Sequence, residues 1–69
     1  MTSVKLNGEP RELADPATVE AAVAAAGVPE PGRGVAVAVD GEVVRQAAWS
    51  TTELREGQSV EVLRAVQGG

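Results

Sequence analysis

The residues most suited to chemistry stand at the end of the chain, where Gln67 is followed by Gly68 and Gly69. Glycine has no β-carbon, so an extended Gly-Gly end can pass through a narrow channel in a partner protein. It also leaves the carboxylate of Gly69 open to attack from either side. We interpret Gly69 as the group that a partner enzyme activates, with Gly68 and Gln67 as the residues that thread into that enzyme. The alternative is a frayed end with no function.

The side chains on which most catalysis depends are missing. The sequence contains no Cys, no His, no Tyr and no Phe. It therefore cannot form a disulfide, a thiolate nucleophile, a His general base or a Cys/His zinc site. The ten acidic residues are scattered and form no calcium-loop motif. Most self-contained catalysis is excluded, and the chemistry of the chain end has to be supplied by another protein.

The composition describes one small acidic domain. The chain has 69 residues, which is room for one hydrophobic core, and its 43% hydrophobic content is enough for a folded globule. A net charge of -4 repels phosphate backbones and anionic lipids, and a single Trp offers no row of stacking surfaces for bases. No apolar run approaches the roughly 20 residues of a membrane helix. We expect no nucleic acid partner, no membrane partner and a cytoplasmic location.

The first part of the chain predicts a β-hairpin. Residues 3–6 alternate between polar and apolar, and the Asn7-Gly8 dipeptide accepts the positive φ angles of a type I′ turn. Pro10 cannot donate to a ladder, so the returning strand should lie at a sheet edge. The register of a two-residue turn puts three apolar side chains on one face: Val4, Leu6 and Leu13.

One helix is predicted after this hairpin. Asp15 before Pro16 suits an N-cap carboxylate followed by the helical position that tolerates proline, and Thr18 is a competing N-cap. From Ala17 onward, Val and Ala recur at helical spacing as far as Gly27, which supplies a left-handed C-cap. The expected helix has about three turns.

The second half predicts short strands joined by tight turns. The apolar run Val35–Val39 reads as a strand, the Asp-Gly dipeptide at 40–41 as a turn, and residues 42–44 as the returning strand. A last strand begins near Val60 and ends near Ala65. Two hairpins around one helix predict an α+β fold, with a mixed sheet of about four to five strands packed on one α-helix. If the last strand lies parallel beside the first, the topology is the ubiquitin-like β-grasp.

Several segments of the second half share residue type and spacing with one known family: Val35–Val39 entering Asp40-Gly41, then Glu42-Val43-Val44, Trp49, Leu54 to Gly57, Val60-Glu61-Val62, and Arg64 to Gly69. This half resembles the sulfur carrier proteins of thiamine thiazole biosynthesis, and the first half agrees in layout. Arg45 and Gln58 depart from the pattern of that family, so no role is transferred to them. The resemblance implies a β-grasp domain over residues 1–65 and a flexible tail over residues 66–69.

The resemblance also implies how Gly69 is used. A ubiquitin-activating-like adenylyltransferase, which binds the ATP and magnesium itself, joins the terminal carboxylate to AMP. The mixed anhydride has a good leaving group, and a persulfide sulfur donor displaces it to leave a C-terminal thiocarboxylate. This thiocarboxylate then gives its sulfur to thiazole synthase. By this resemblance the chain is a carrier and co-substrate, not an enzyme, and binds no cofactor.

Two residues just before the tail are candidate partner contacts. Leu63 falls on the opposite face of the last strand from Val62, and we expect it to join an exposed apolar patch that docks the activating enzyme. Arg64 can pair with an acidic groove of a partner, although a solvated arginine is the commoner outcome. Trp49 is expected to be a packing anchor rather than an interface residue.

Three alternatives stay open. The small subunit of molybdopterin synthase has the same fold, the same Gly-Gly end and the same activation chemistry. A ubiquitin-like protein modifier would join Gly69 to target lysines, and a β-grasp interaction module would make no use of its terminus. The similarity at residues 39–41 and 64–67, the short chain and the absence of Phe favour the thiamine pathway.

Overall fold

The computed structural model describes residues 1–27 and 34–64. These residues form five strands, one α-helix and a short 3-10 helix at Gln46–Ala48. In chain order the strands and the α-helix are β1 (Thr2–Leu6), β2 (Glu9–Leu13), α1 (Val19–Ala25), β3 (Val35–Val39), β4 (Glu42–Val44) and β5 (Ser59–Arg64). The bounds of β3 and β4 are those that the sequence predicts.

The five strands form one mixed sheet in the order β2-β1-β5-β3-β4. β1 is antiparallel to β2 and parallel to β5, whereas β3 is antiparallel to both β5 and β4. The last strand therefore lies in the centre of the sheet, parallel beside the first. This arrangement confirms the predicted α+β fold with the ubiquitin-like β-grasp topology.

Both predicted hairpin turns are present with the expected backbone conformation. Asn7 has φ 51° and Gly8 has φ 85°, and the second turn repeats this with φ 49° at Asp40 and φ 86° at Gly41. Positive φ at both central residues is the signature of a type I′ turn, which Asn-Gly and Asp-Gly accommodate at little cost. Pro10 lies on β2, at the edge of the sheet, as predicted.

One face of the sheet packs against α1 and the segment after β4 to form the core. Val60 on β5, the central strand of the sheet, is fully buried. Trp49 is 5% exposed, and its indole Nε1 donates to the Val44 carbonyl at 3.0 Å. Trp49 is thus the packing anchor that the sequence predicts. The buried apolar side chains are Val4, Leu6, Leu13, Ala17, Val19, Ala22, Val23, Val37, Val39, Trp49, Leu54, Val60 and Val62.

The predicted start of the helix at Asp15 is wrong, and the competing N-cap is correct. Thr18 is the N-cap, and its hydroxyl oxygen accepts from the Ala21 N–H at 3.2 Å. The carboxylate of Asp15 instead accepts from the amino group of Met1 at 2.8 Å and from the Thr2 hydroxyl at 2.7 Å. These contacts hold the pKa of Asp15 below its usual value, chiefly through the bond from the amino group.

The helix is also shorter than predicted, with seven residues or about two turns. The segment after β4 forms hydrogen bonds with the main chain at the start of the helix. The Val19 N–H donates to the Thr52 carbonyl at 3.0 Å, and the Leu54 N–H donates to the Ala17 carbonyl at 2.7 Å. These contacts engage the main chain that would otherwise form an additional turn. At the other end, Gly27 follows the helix with φ 75°, as its predicted capping role requires.

Candidate functional site

The predicted reactive group and its approach, Gln67, Gly68 and Gly69, lie outside the described residues. The predicted domain boundary at residue 65 lies outside them as well. The described part of the site is therefore the strand that leads to this end, β5, and the groups around its last residues.

β5 is paired with β3 along most of its length and with β1 only at its start. Val62 is paired with Val37 and Arg64 with Val35 on the β3 side. On the β1 side the ladder is shorter and its last pair is Leu6 with Val60. The two faces of β5 differ, because Val60 and Val62 point into the core whereas the residues between and after them are exposed.

The side-chain amide of Asn7 lies where the β1–β5 ladder ends. Its Oδ1 accepts from the Val62 N–H at 2.8 Å, and its Nδ2 donates to the Val62 carbonyl at 3.3 Å. The main chain of Asn7 itself donates to the Val60 carbonyl at 2.8 Å. One turn residue therefore holds two positions of the last strand. The sequence identified Asn7 as a turn residue but carried no signal for this second contact.

Asp40 is the first central residue of the second turn, as Asn7 is of the first, and its side chain reaches the start of β5. Its Oδ1 accepts from the Ser59 N–H at 3.0 Å, and its Oδ2 accepts from Gln58 Nε2 at 2.9 Å. The backbone bond from Ser59, with the side-chain bond from Gln58, lowers the pKa of the Asp40 carboxyl from its ordinary value. Sequence reasoning missed this role too, although the Asp-Gly turn was predicted.

Leu63 lies on the outer face of the sheet, where its side chain is 62% exposed. It is paired with Ala36, and in the neighbouring row Ala38 is paired with Val43, which is 77% exposed. We call these four residues the outer patch. The predicted exposure of Leu63 on the face opposite Val62 is confirmed, whereas its role in docking stays a prediction.

Arg64, the last described residue, is exposed and forms no salt bridge with another described residue. A shallow cavity of about 310 Å³ lies beside it, between the end of α1 and the end of β5. Its lining is Asn7, Ala26, Gly27, Val62, Leu63 and Arg64. The candidate contacts Leu63 and Arg64 thus line the same cavity as Asn7.

Two further properties concern the described ranges only. Within residues 1–27 and 34–64, no three His, Cys, Asp or Glu side chains come together as a potential metal site. Over the same part of the chain, no helix has the length and apolar character of a membrane span.

Within the described residues, a mixed five-stranded sheet on one helix, with the last strand central and parallel to the first, defines a ubiquitin-like β-grasp protein. The model of the ThiS family matches residues 4–69, so the chain belongs to that family. The resemblance to the sulfur carriers of thiamine biosynthesis is thereby confirmed.

A solved structure agrees with this assignment. The crystal structure of the thiamine biosynthesis protein (ThiS) from Geobacter metallireducens is similar with a TM-score of 0.77 and 28% sequence identity. The similarity covers 99% of this chain and 100% of that chain. No curated protein sequence matches this one.

Proposed function

We propose that this chain is a sulfur carrier for thiamine biosynthesis, with the carboxylate of Gly69 as its working group. The observation that carries the proposal is the extent of the family match, which runs from residue 4 through residue 69 and so includes the Gly-Gly end. In the proposed cycle an activating adenylyltransferase loads sulfur onto Gly69, and thiazole synthase receives it. The cycle takes place in the cytoplasm.

The chemistry at Gly69 proceeds in steps that each need a partner. A carboxylate oxygen attacks the α-phosphorus of ATP, pyrophosphate leaves, and the terminus becomes an acyl adenylate. A persulfide sulfur attacks the acyl carbon and expels AMP, which gives an acyl disulfide. A thiol then attacks the donor's sulfur in this acyl disulfide, so that a new disulfide forms between the thiol and the donor and the thiocarboxylate leaves. Because the chain has no Cys and no His, the activating enzyme supplies the acid–base groups and binds ATP and magnesium.

The fold provides a packed domain from which this terminus extends. β5 is the central strand, and its inward side chains Val60 and Val62 are buried, so the strand that leads to the tail is anchored in the core. Its outward side chain Leu63 belongs to the outer patch, beside the exposed Arg64. We propose that the activating enzyme docks on this patch, with Arg64 at the rim, while it takes up the tail.

The test is a loading reaction read by intact mass. The protein is incubated with ATP, magnesium, the activating enzyme and a persulfide donor. The wild-type chain should gain the mass difference between sulfur and oxygen, and a variant lacking Gly69 should gain nothing while unfolding at the same urea concentration. Conversion of the truncated variant would overturn the assignment to Gly69. An unchanged wild-type mass would overturn the carrier function.

The enzyme that accepts the sulfur distinguishes the thiamine pathway from the molybdopterin pathway. The loaded protein is offered in turn to thiazole synthase and to the large subunit of molybdopterin synthase, each with its own substrate. Sulfur transfer to thiazole synthase alone supports the proposal, whereas transfer to the molybdopterin enzyme contradicts it. Covalent attachment of this chain to lysines of other proteins in a cell lysate would instead indicate a protein modifier.

A further inference from the structure

We infer that Asn7 is a positioning residue for the carrier terminus, an inference that rests on the proposed function. Its side-chain amide holds the main chain of Val62 through both the N–H and the carbonyl. In doing so it fixes the course of the last residues of β5, where Leu63 and Arg64 are paired with β3.

The position of the amide continues the parallel ladder between β1 and β5. The ladder bonds run from the Lys5 N–H to the Gln58 carbonyl at 2.9 Å and from the Asn7 N–H to the Val60 carbonyl at 2.8 Å. The next position on β5 is Val62, but there the first strand has already turned toward β2. The amide supplies the donor and the acceptor that a further residue of β1 would have offered.

The last residues of β5 depend on this contact because, apart from it, their main chain is paired along one edge only. Beyond Val60, the main chain of β5 is paired only with β3, through residues 35–38, within the described residues. A strand end that is hydrogen-bonded along one edge is less restrained than one that is hydrogen-bonded along both edges. Displacement of this strand end would move Leu63 relative to the rest of the outer patch, which the activating enzyme has to contact as one surface.

The residue type agrees with this role. The backbone at position 7 has φ 51°, which Gly, Asp and Asn tolerate. Of these, Asn alone offers a neutral acceptor and a donor on one planar group. A carboxylate at this position would accept from the Val62 N–H but repel the Val62 carbonyl, and glycine would make neither bond. The substitutions Asn7→Gly and Asn7→Asp therefore keep the turn and remove part or all of the contact.

The test compares these variants with a matched control at the other turn. Asp40→Gly occupies the equivalent turn position and loses the contacts to Ser59 and Gln58, at the start of β5 rather than its end. Kinetics of ATP–pyrophosphate exchange by the activating enzyme give KM and kcat for each carrier. Amide hydrogen exchange of the free proteins gives the protection of the Val62 N–H, which reports how readily this part of β5 opens.

For Asn7→Gly we expect faster exchange at the Val62 N–H and a KM raised by about tenfold. This rise in KM corresponds to a fall of the docking-competent fraction of the carrier to about one tenth. The kcat should be unchanged, because the enzyme holds the strand end once the complex has formed. Asn7→Asp should fall between Asn7→Gly and the wild type. Asp40→Gly should change KM by less than about twofold despite a similar loss of hydrogen bonds.

Equal KM values for Asn7→Gly and Asp40→Gly would overturn the inference, and so would a wild-type KM in Asn7→Gly. Both results require an active wild-type carrier, so they leave the proposed function standing. A wild-type chain that supports no pyrophosphate exchange would overturn the proposed function, and the inference with it.

Discussion

Asp40 and Ser59 hold each other through two hydrogen bonds that run in opposite directions. The Asp40 N–H donates to the Ser59 carbonyl at 2.8 Å, and the Ser59 N–H donates to the Asp40 Oδ1 at 3.0 Å. Asn7 does the equivalent near the other end of β5, through Val60 and Val62. The first central residue of each hairpin turn thus forms hydrogen bonds with the main chain of the central strand, Asp40 at its start and Asn7 nearer its end.

The Asp40 contact predicts a pH dependence of folding stability. The pKa of this carboxyl is lower in the folded protein than the ordinary value of 3.8, chiefly because of the Ser59 N–H. The ionised carboxylate therefore contributes stability above about pH 4, and the contribution is lost as the pH falls through the folded pKa. Asp40→Asn should reduce the loss of stability between pH 5 and pH 3 relative to the wild type, as measured by urea unfolding.

Asp15 offers a positive control for this measurement. Its carboxyl also has a lowered pKa, because it accepts from the Met1 amino group and the Thr2 hydroxyl. Asp15→Asn should therefore reduce the acid destabilisation as well. If Asp40→Asn retains the wild-type dependence on pH while Asp15→Asn does not, the Ser59 contact does not stabilise the ionised carboxylate.

The turns were predictable from sequence because their chemistry is local. Asn-Gly and Asp-Gly accept two positive φ angles, and this fixes the register of each hairpin without reference to the rest of the chain. The side-chain bonds of Asn7 and Asp40 were not predictable. They depend on β5, whose place in the sheet is set by pairing with β1 and β3 across a long stretch of sequence.

The start of the helix also could not be predicted from the local sequence alone. Asp15-Pro16 and Thr18 are both good local N-cap signals, and the local sequence does not choose between them. The choice is made by the segment after β4, which binds the Val19 N–H and the Ala17 carbonyl. Contacts made by distant residues decided the boundary, whereas the helix itself followed from its apolar spacing.

Thr18 and Asp15 can be distinguished by substitution. Thr18→Ala removes the hydroxyl that accepts from the Ala21 N–H, and we expect a loss of about 1 kcal/mol in the free energy of unfolding. Asp15→Ala removes an exposed carboxylate that caps no helix, so its effect at neutral pH should be clearly smaller. Urea unfolding of both variants is the measurement. A larger loss for Asp15→Ala would contradict the assignment of the N-cap.

Val60 is predicted to be a main determinant of stability. It is fully buried on the central strand β5, so Val60→Ala should leave a cavity and lower the free energy of unfolding by about 2 kcal/mol. Val43→Ala makes the same chemical change at a side chain that is 77% exposed, and it should cost less than about 0.5 kcal/mol. Equal losses in the two variants would show that β5 is not packed in the core as described.

Leu63 is predicted to contribute binding energy to the activating enzyme. It lies on the outer face and is 62% exposed, so Leu63→Ser should change the free energy of unfolding little. Burial of a leucine in an interface contributes about 1.5 to 3 kcal/mol, which corresponds to a Kd raised by roughly tenfold or more on its removal. Calorimetric titration of the activating enzyme with each carrier measures this change.

Glu12→Ser serves as the control for Leu63→Ser. Glu12 is exposed on the edge strand β2 and is paired with Ser3, on the same outer face but outside the outer patch. Its removal should leave Kd within about twofold of the wild type, because a rim charge outside the contact contributes little. If Leu63→Ser and Glu12→Ser bind equally well, the enzyme docks elsewhere, and the exposed leucine has another cause.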